Sequence, residues 1–243
     1  MPRVRSAEFF PRLVSAAAET FIAQGFQRTQ MQDVADRLGV AKGTVYGYVE
    51  SKAALLAAAV RYADGVDPLP ELAELPVPTP VAGEVAALVA DRLRGEVAEL
   101  RLVQAVAGRR RVPIAEELTE IIIDLYRRLA RHRVSIKLVD RCAPELPDLG
   151  EVWFGVGRAG QVAVLTEYLT RRAASRAVRL PGPAPVVART ILETCVLWAV
   201  HLHWDPARVD PDDRELPPPE VVAATLAGLL THGLVSTKGQ GDE

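Results

Sequence analysis

Apolar residues recur at helical spacing along almost the whole chain. Phe9, Phe10, Leu13, Val14, Ala17 and Phe21, with Thr20 among them, predict a first helix over residues 6–24. Met31, Val34, Ala35 and Leu38 then share one face of a shorter helix starting near Thr29. A second short helix is expected from about Lys42 to Tyr48. Leu55, Leu56, Ala59, Val60 and Tyr62 mark a fourth from Ser51 to about Asp64, ended by Gly65 and Pro68. Residues 66–80 hold Pro68, Pro70, Pro76, Pro78 and Pro80, too many for a helix or a central strand, and read as a joint.

Beyond the joint the period stays near 3.6 residues. Val81, Val85, Leu88, Val89, Leu93, Val97 and Leu100 trace a helix ending near Gly108. Pro113 opens another, with Leu118, Ile121, Ile122, Leu125, Leu129 and Val134 inward, and Pro144 and Pro147 mark a loop. A helix is expected from Glu151 to Ser175, broken by the Leu180–Pro185 stretch. The next, Val186 to His203, is apolar nearly all round and needs burial on more than one side. After a polar, proline-rich loop (Asp205–Pro219), Val221, Val222, Leu226, Leu229 and Leu230 form a last helix. The expected fold is all-α, with about nine helices. Residues 1–65 form one domain, 66–80 the joint, 81–235 a larger helical domain, and 236–243 a flexible tail.

The turn chemistry of residues 29–52 is the most specific signal. Thr29 with Gln32 three residues on fits a capping box, Gly39 stands where a left-handed turn is wanted, and Ser51 is placed to cap the following helix. Two short helices joined this way form a helix-turn-helix, whose second helix enters a DNA major groove. Gly25-Phe-x-x-Thr29, Val34-Ala35, Leu38-Gly39-Val40, Gly43-Thr44-Val45-Tyr46-x-Tyr48 and Ser51-Lys52 resemble the DNA-binding domain of the TetR family of bacterial regulators. The likeness covers about the first quarter of the chain. It departs at Ala41, where the family usually has a capping Ser or Thr, at Gln30, where a second hydroxyl is common, and at Val49, in place of Phe.

The resemblance implies an N-terminal DNA-binding domain followed by a helical ligand-binding and dimerisation domain. Lys42, Gly43, Thr44 and Tyr46 stand at the start of the recognition helix, where base edges are read; Tyr48 and Lys52 are implied phosphate contacts. Thr29 and Gln30, at a helix N-terminus, are further phosphate candidates. Val45 reads as core. Candidate pocket residues are Gln104, Tyr126, Trp153, Phe154, Arg158, Gln161 and Tyr168, although for each aromatic ordinary core filling fits the pattern as well. Val187, Ile191, Cys195, Trp198 and Leu202, with Val222, Leu226 and Leu229, are the expected half of a four-helix dimer interface.

Charge adds modest support. The chain carries a net −2, yet residues 1–62 hold eight Arg/Lys against five acids, leaving the acidic excess to the remainder. Arg3 and Arg5 fit either a phosphate-seeking arm or a frayed tail. Two cysteines, Cys142 and Cys195, give no disulfide framework, and a reduced cytoplasmic setting is expected. No signal core is read at the N-terminus, and no run is judged to reach the ~20 apolar residues of a membrane span. The bias to Arg, Ala, Val and Pro fits a GC-rich bacterial genome.

Catalytic chemistry has little to work with. His201-x-His203 has the wrong spacing for a metal pair on a helix, and Glu116-Glu117 reads as a helix-start charge pair. No phosphate loop, nucleophile elbow or Cys/His set is present, so neither enzyme activity, metal nor cofactor is expected. The expected function is a ligand-responsive, homodimeric transcriptional regulator, a repressor released from a palindromic double-stranded operator by a largely apolar small molecule, with no membrane partner. The alternative is a DNA-binding regulator with no small-molecule ligand, controlled by a protein partner.

Overall fold

The computed structural model describes residues 6–108, 112–204 and 216–235. Arg3, Arg5, most of the 205–219 loop and the 236–243 tail lie outside the described residues. Among the described residues twelve α-helical segments follow one another. They are α1 (Phe9–Gln24), α2 (Met31–Leu38), α3 (Lys42–Tyr46), α4 (Lys52–Tyr62), α5 (Glu84–Ala98) and α6 (Arg101–Val106). Next come α7 (Ile114–Arg131), α8 (Arg133–Cys142), α9 (Pro147–Gly150), α10 (Gly160–Ala174), α11 (Ala184–Ala199) and α12 (Pro219–Leu234). A π-helical stretch, Glu151–Ala159, runs into α10. The extended structure among these residues is a single parallel bridge between Val49 and Val77.

The chain divides into two compact units: Met1–Arg92 with Arg131–Val156, and Leu93–Ala130 with Gly157–Glu243. In the first, α1 packs on α2, α4 and α8, and α2 on α3. Phe10, Leu13, Val14, Ala17 and Phe21 of α1 are buried, as are Val34, Val45, Leu55 and Leu56 of α2, α3 and α4, in a core from which water is almost wholly excluded. At ~1.5–3 kcal/mol for each fully buried large apolar side chain, this core outweighs the poor intrinsic stability of helices of five and eight residues. In the second unit α10 packs on α6 and α11, and α11 on α12. Its core takes Leu118, Ile121 and Ile122 from α7, Leu165 and Leu169 from α10, Ala188 and Leu192 from α11, and Ala223 from α12.

Two expected helices are divided, for different reasons. The helix over 81–108 breaks at Leu100, whose extended backbone (φ −60°, ψ 133°) starts α6 afresh. The helix opened by Pro113 stops at Arg131, and α8 begins beyond His132. Its first N–H groups are supplied from far away in sequence: the Asp64 carboxylate accepts from Val134 N–H at 2.8 Å and Ser135 N–H at 3.1 Å. An acidic cap there satisfies orphan donors and suits the positive end of the helix.

One expectation is corrected. Ala184–Trp204 is long and apolar enough to meet the length and hydropathy of a membrane span. Its chemistry has another explanation. Ala188, Ile191, Leu192, Cys195, Val196 and Ala199 are buried within the unit, and the stretch carries Glu193, held at 3.0 Å by Arg158 and at 3.4 Å by Arg189. The helix packs on α10 and α12, which gives its inward apolar residues a protein partner.

Candidate nucleic-acid interface

The start of the helix-turn-helix differs by one residue from expectation. Gln30, not Thr29, is the N-cap of α2, with extended backbone (φ −112°, ψ 152°). Its N–H donates to Asp33 Oδ2 at 2.8 Å, and Asp33 N–H returns to the Gln30 carbonyl at 3.1 Å. Thr29 is 1% exposed, and its hydroxyl donates to the Gly25 carbonyl at 2.7 Å. Gln32 Nε2 turns to Asp36 Oδ1 rather than back to Thr29. The physical reason is competition: the carbonyl left over at the end of α1 captures the Thr29 hydroxyl, so the acid at Asp33 completes the box.

The turn itself follows the sequence reading. Gly39 sits in the left-handed region (φ 65°, ψ 35°), with its N–H on the Asp36 carbonyl at 3.0 Å and Val40 N–H on the Ala35 carbonyl at 3.0 Å. These bonds close the end of α2 and redirect the chain into α3. Ala41 is the N-cap of α3, extended (φ −69°, ψ 143°) and without a side-chain cap, as the residue type requires. Ser51 caps α4 through Ala54 N–H at 3.1 Å.

On α3, Val45 points inward at 0% exposure, while Lys42, Gly43 and Tyr46 face solvent and Thr44 is half-buried. Tyr46 is 42% exposed, and Lys42 Nζ lies 6.0 Å from its ring centroid. A cation, a hydroxyl-bearing aromatic and a glycine without side-chain bulk therefore lie together on the outer surface of a helix only five residues long. Such a surface can offer a charge to phosphate, donors and acceptors to base edges, and close backbone approach.

Other candidates are engaged within the protein. Tyr48 is 5% exposed; its hydroxyl accepts from Ser6 N–H at 2.7 Å and donates to the Ser6 carbonyl at 3.3 Å, while its ring packs 4.8 Å from Phe9. Lys52 Nζ donates to the Phe26 and Gln27 carbonyls at 2.9 and 3.2 Å and lies 4.5 Å from the Phe26 ring centroid. The ammonium thus anchors the approach to α2 while half-exposed. Gln30 spends its N–H on Asp33 and leaves its side chain in solvent.

Residues far along the chain complete the frame. Arg141 at the end of α8 donates to the Gln24 carbonyl at 2.8 Å and pairs with Glu145 at 3.0 Å. Glu145 accepts from Gln27 N–H at 2.6 Å, and that bond, with help from Arg141 against a weaker burial effect, holds its carboxyl below the usual carboxylate range. Gly25 (φ 84°) lies beneath this pair, and a Cβ there would come within 2.8 Å of the guanidinium nitrogens. The only sequence signal for these roles was an i,i+4 Arg/Glu pair at a helix end.

The candidate pocket residues are shared between the two units. Trp153 and Phe154 belong to the first unit; Trp153 Nε1 donates to Asp140 at 3.1 Å and Phe154 is 40% exposed. In the second unit Gln104 is exposed, Gln161 half-buried, Arg158 paired with Glu193, and Tyr126 is 2% exposed. Tyr168 is 1% exposed and donates to Glu117 Oε1 at 2.7 Å, while Arg172 holds the other carboxylate oxygen at 2.8 Å. Burial and the neighbouring carboxylate push the Tyr168 phenol up. That arrangement satisfies a buried charge, a structural duty. An open groove of about 730 Å³ beside α11 is lined by Val162, Pro185, Val186, Arg189, Thr190, Glu193, Thr194 and Leu197, none of them a pocket candidate.

The expected dimer residues differ in exposure. Ile191, Cys195, Val222 and Leu226 are buried inside the protomer, and Val187, Trp198 and Leu202 are half-buried. Leu229 alone of that set is exposed, at 67%. The other outward apolar residues of these helices are Val186, Leu197 and Val221.

Among the described residues no group of three or more His, Cys, Asp or Glu could hold a metal ion. Residues 13–59, from α1 into α4, match the family described as "Bacterial regulatory proteins, tetR family". No curated protein sequence matches the chain. Among solved structures, a ketosteroid transcriptional regulator of Mycobacterium tuberculosis is similar at TM-score 0.58 and 16% identity, over 97% of this chain and 98% of that one. A tetR-family regulatory protein from Rhodococcus RHA1 is similar at TM-score 0.52 and 16% identity, over 96% and 100%. These likenesses establish the fold.

Proposed function

We propose that the chain, whose residues 13–59 match the tetR family of bacterial regulatory proteins, is a ligand-responsive repressor. It acts by binding and not by catalysis. The observation that carries this reading is the α2–Gly39–α3 turn, which buries Val45 and leaves Lys42, Gly43 and Tyr46 outward. Two copies of α3, related by a two-fold axis, enter successive major grooves of a palindromic operator, with centres ~34–36 Å apart. Lys42 and Tyr46 meet the bases and adjoining phosphate. Lys52 and Gln30 contribute at the backbone.

A homodimer supplies the two-fold axis. Val186, Leu197, Val221 and Leu229, on the outward faces of α11 and α12, are its apolar contact, and the partner helix covers the groove beside α11. Exposed apolar surface of this kind on paired helices is what an isologous interface buries. Operator binding places the protein in the cytoplasm. A small, largely apolar molecule releases it by preferring a dimer whose recognition helices are differently spaced, and its effect is bounded by its differential affinity for the two states.

Selection of bound sequences from a random duplex pool tests the reading. A recovered site should be two-fold symmetric. Lys52→Ala should weaken binding to all duplexes and flatten the salt slope by about one unit, whereas Tyr46→Ala should alter sequence preference. A compound that raises Tm in a thermal-shift screen should weaken the selected duplex in proportion.

A further inference from the structure

The long proline-rich joint has a role of its own. It does not simply lead from α4 to α5; it returns to the residues that follow the recognition helix. Val77 N–H donates to the Tyr48 carbonyl at 2.9 Å, and Glu50 N–H donates to the Val77 carbonyl at 3.0 Å, forming the parallel bridge of Val49 with Val77. Two residues on, Thr79 N–H donates to Glu50 Oε2 at 2.9 Å, and Thr79 Oγ1 donates to Ser51 Oγ at 2.9 Å. Ser51 Oγ is the same atom that caps α4. Leu75 anchors the segment at 5% exposure, and Asp67, at its other end, is held by Arg92 at 2.7 Å. Arg92 also caps the end of α4 through the Val60 and Arg61 carbonyls at 2.8 and 3.1 Å.

The recognition helix needs such support. It spans five residues, too few to be stable alone, and begins at Ala41 with no side-chain cap. Its exit is held from one side by Tyr48 against α1, through Ser6 and Phe9. From the other side the joint supplies four hydrogen bonds to residues 48–51. We infer that residues 75–79 are a strap that positions the recognition helix for DNA, with Val77 and Thr79 as its positioning residues. The prolines suit the task. Pro76 and Pro78 flank Val77, restrict it to extended backbone and leave its N–H and carbonyl as the groups that bridge. The side chains of Val77 and Thr79 need touch no DNA: they set the orientation of Lys42 and Tyr46 through the chain that follows them.

The inference rests on the DNA-binding reading for its purpose but not for its physical content, so two measurements on the full chain keep the two apart. Hydrogen exchange of amides 44–50 is followed in the unaltered protein, in Thr79→Ala and Val77→Pro, and in the conservative Thr79→Ser and Val77→Ala. Affinity is measured in parallel for a duplex recovered by selection and for random-sequence duplex. Thr79→Ala and Val77→Pro should speed exchange of 44–50 by about tenfold while α12 keeps its protection. They should weaken the selected duplex by about tenfold with random-sequence binding changed by less than about twofold, because phosphate contacts survive a misaimed helix. Thr79→Ser and Val77→Ala, which keep the bonds, should behave as the unaltered protein. Unchanged exchange in both disruptive variants overturns the strap. Faster exchange with undiminished preference for the selected duplex overturns its role in recognition. Failure of the unaltered protein to select any duplex overturns the DNA-binding reading and with it the strap's purpose, while the exchange result still decides whether the strap holds α3.

Discussion

Glu145 Oε2 accepts the backbone N–H of Gln27 at 2.6 Å across 118 residues of sequence. With Arg141 on the Gln24 carbonyl at 2.8 Å, this bond fixes the chain between α1 and α2, and Asp64 fixes the opposite end of α8. The helix is therefore tied to the DNA-binding domain at both of its termini.

The carboxylate form of Glu145 carries that tie, which gives it a pH signature. Its folded carboxyl lies below the ordinary range, so the unfolded state binds the extra proton as pH falls. The contribution is fully present above the unfolded value of about 4.3 and is lost as pH drops through the lowered folded value. Tm measured between about pH 3 and 6 should fall less steeply in Glu145→Gln than in the unaltered protein. Parallel curves would show that the Gln27 bond does not favour the ionised form.

Ala41 has the backbone of an N-cap without the side chain of one. Ala41→Ser should stabilise the protein by about 1 kcal/mol, read as a rise in denaturation midpoint at unchanged m-value. A less stable variant would mean that a hydroxyl there finds no partner among the first N–H groups of α3.

The outward apolar residues of α11 and α12 predict the oligomer. Leu229→Asp should dissociate the dimer in sedimentation at micromolar concentration while the helical content is kept, because Leu229 is 67% exposed in the protomer. Ile191→Asp, at 2% exposure, should unfold the second unit. A dimer unaffected by Leu229→Asp would move the interface elsewhere.

Burial pushes the thiols of Cys142 and Cys195 up to about 12. At pH 8 roughly one thiol in ten thousand is then ionised, and the thiolate is the reactive form. A disulfide reagent should leave both unmodified in the native protein and titrate both after unfolding. Rapid native labelling would show that one of them is open to solvent.

The first four helices were legible because one period, one glycine and one Ser cap agree over a short stretch. The one-residue slip at α2 has a specific cause. Thr29 with Gln32 and Gln30 with Asp33 both fit a capping box, and the Gly25 carbonyl that decides between them belongs to the end of α1. The break at His132 was not legible, because Asp64, the acid that accepts from Val134 N–H at the start of α8, lies 70 residues before Val134. The strap was read only as a joint, since prolines exclude helix without saying what the freed backbone pairs with. α11 and α12 are apolar on several faces, so the pattern could not tell Ile191, turned inward, from Leu197, turned outward. Nor could the pattern show that Tyr168 donates to Glu117, 51 residues earlier.

The central claim is that α3 reads DNA through Lys42 and Tyr46. Its most direct measurement is duplex selection followed by affinity for the recovered site in the unaltered protein, Lys42→Ala and Tyr46→Ala. A two-fold symmetric site, weakened about tenfold or more by either substitution, each good base contact contributing ~1–3 kcal/mol, is the predicted result. An absence of any enriched sequence, or a recovered site that both variants bind as tightly as the unaltered protein, would contradict it.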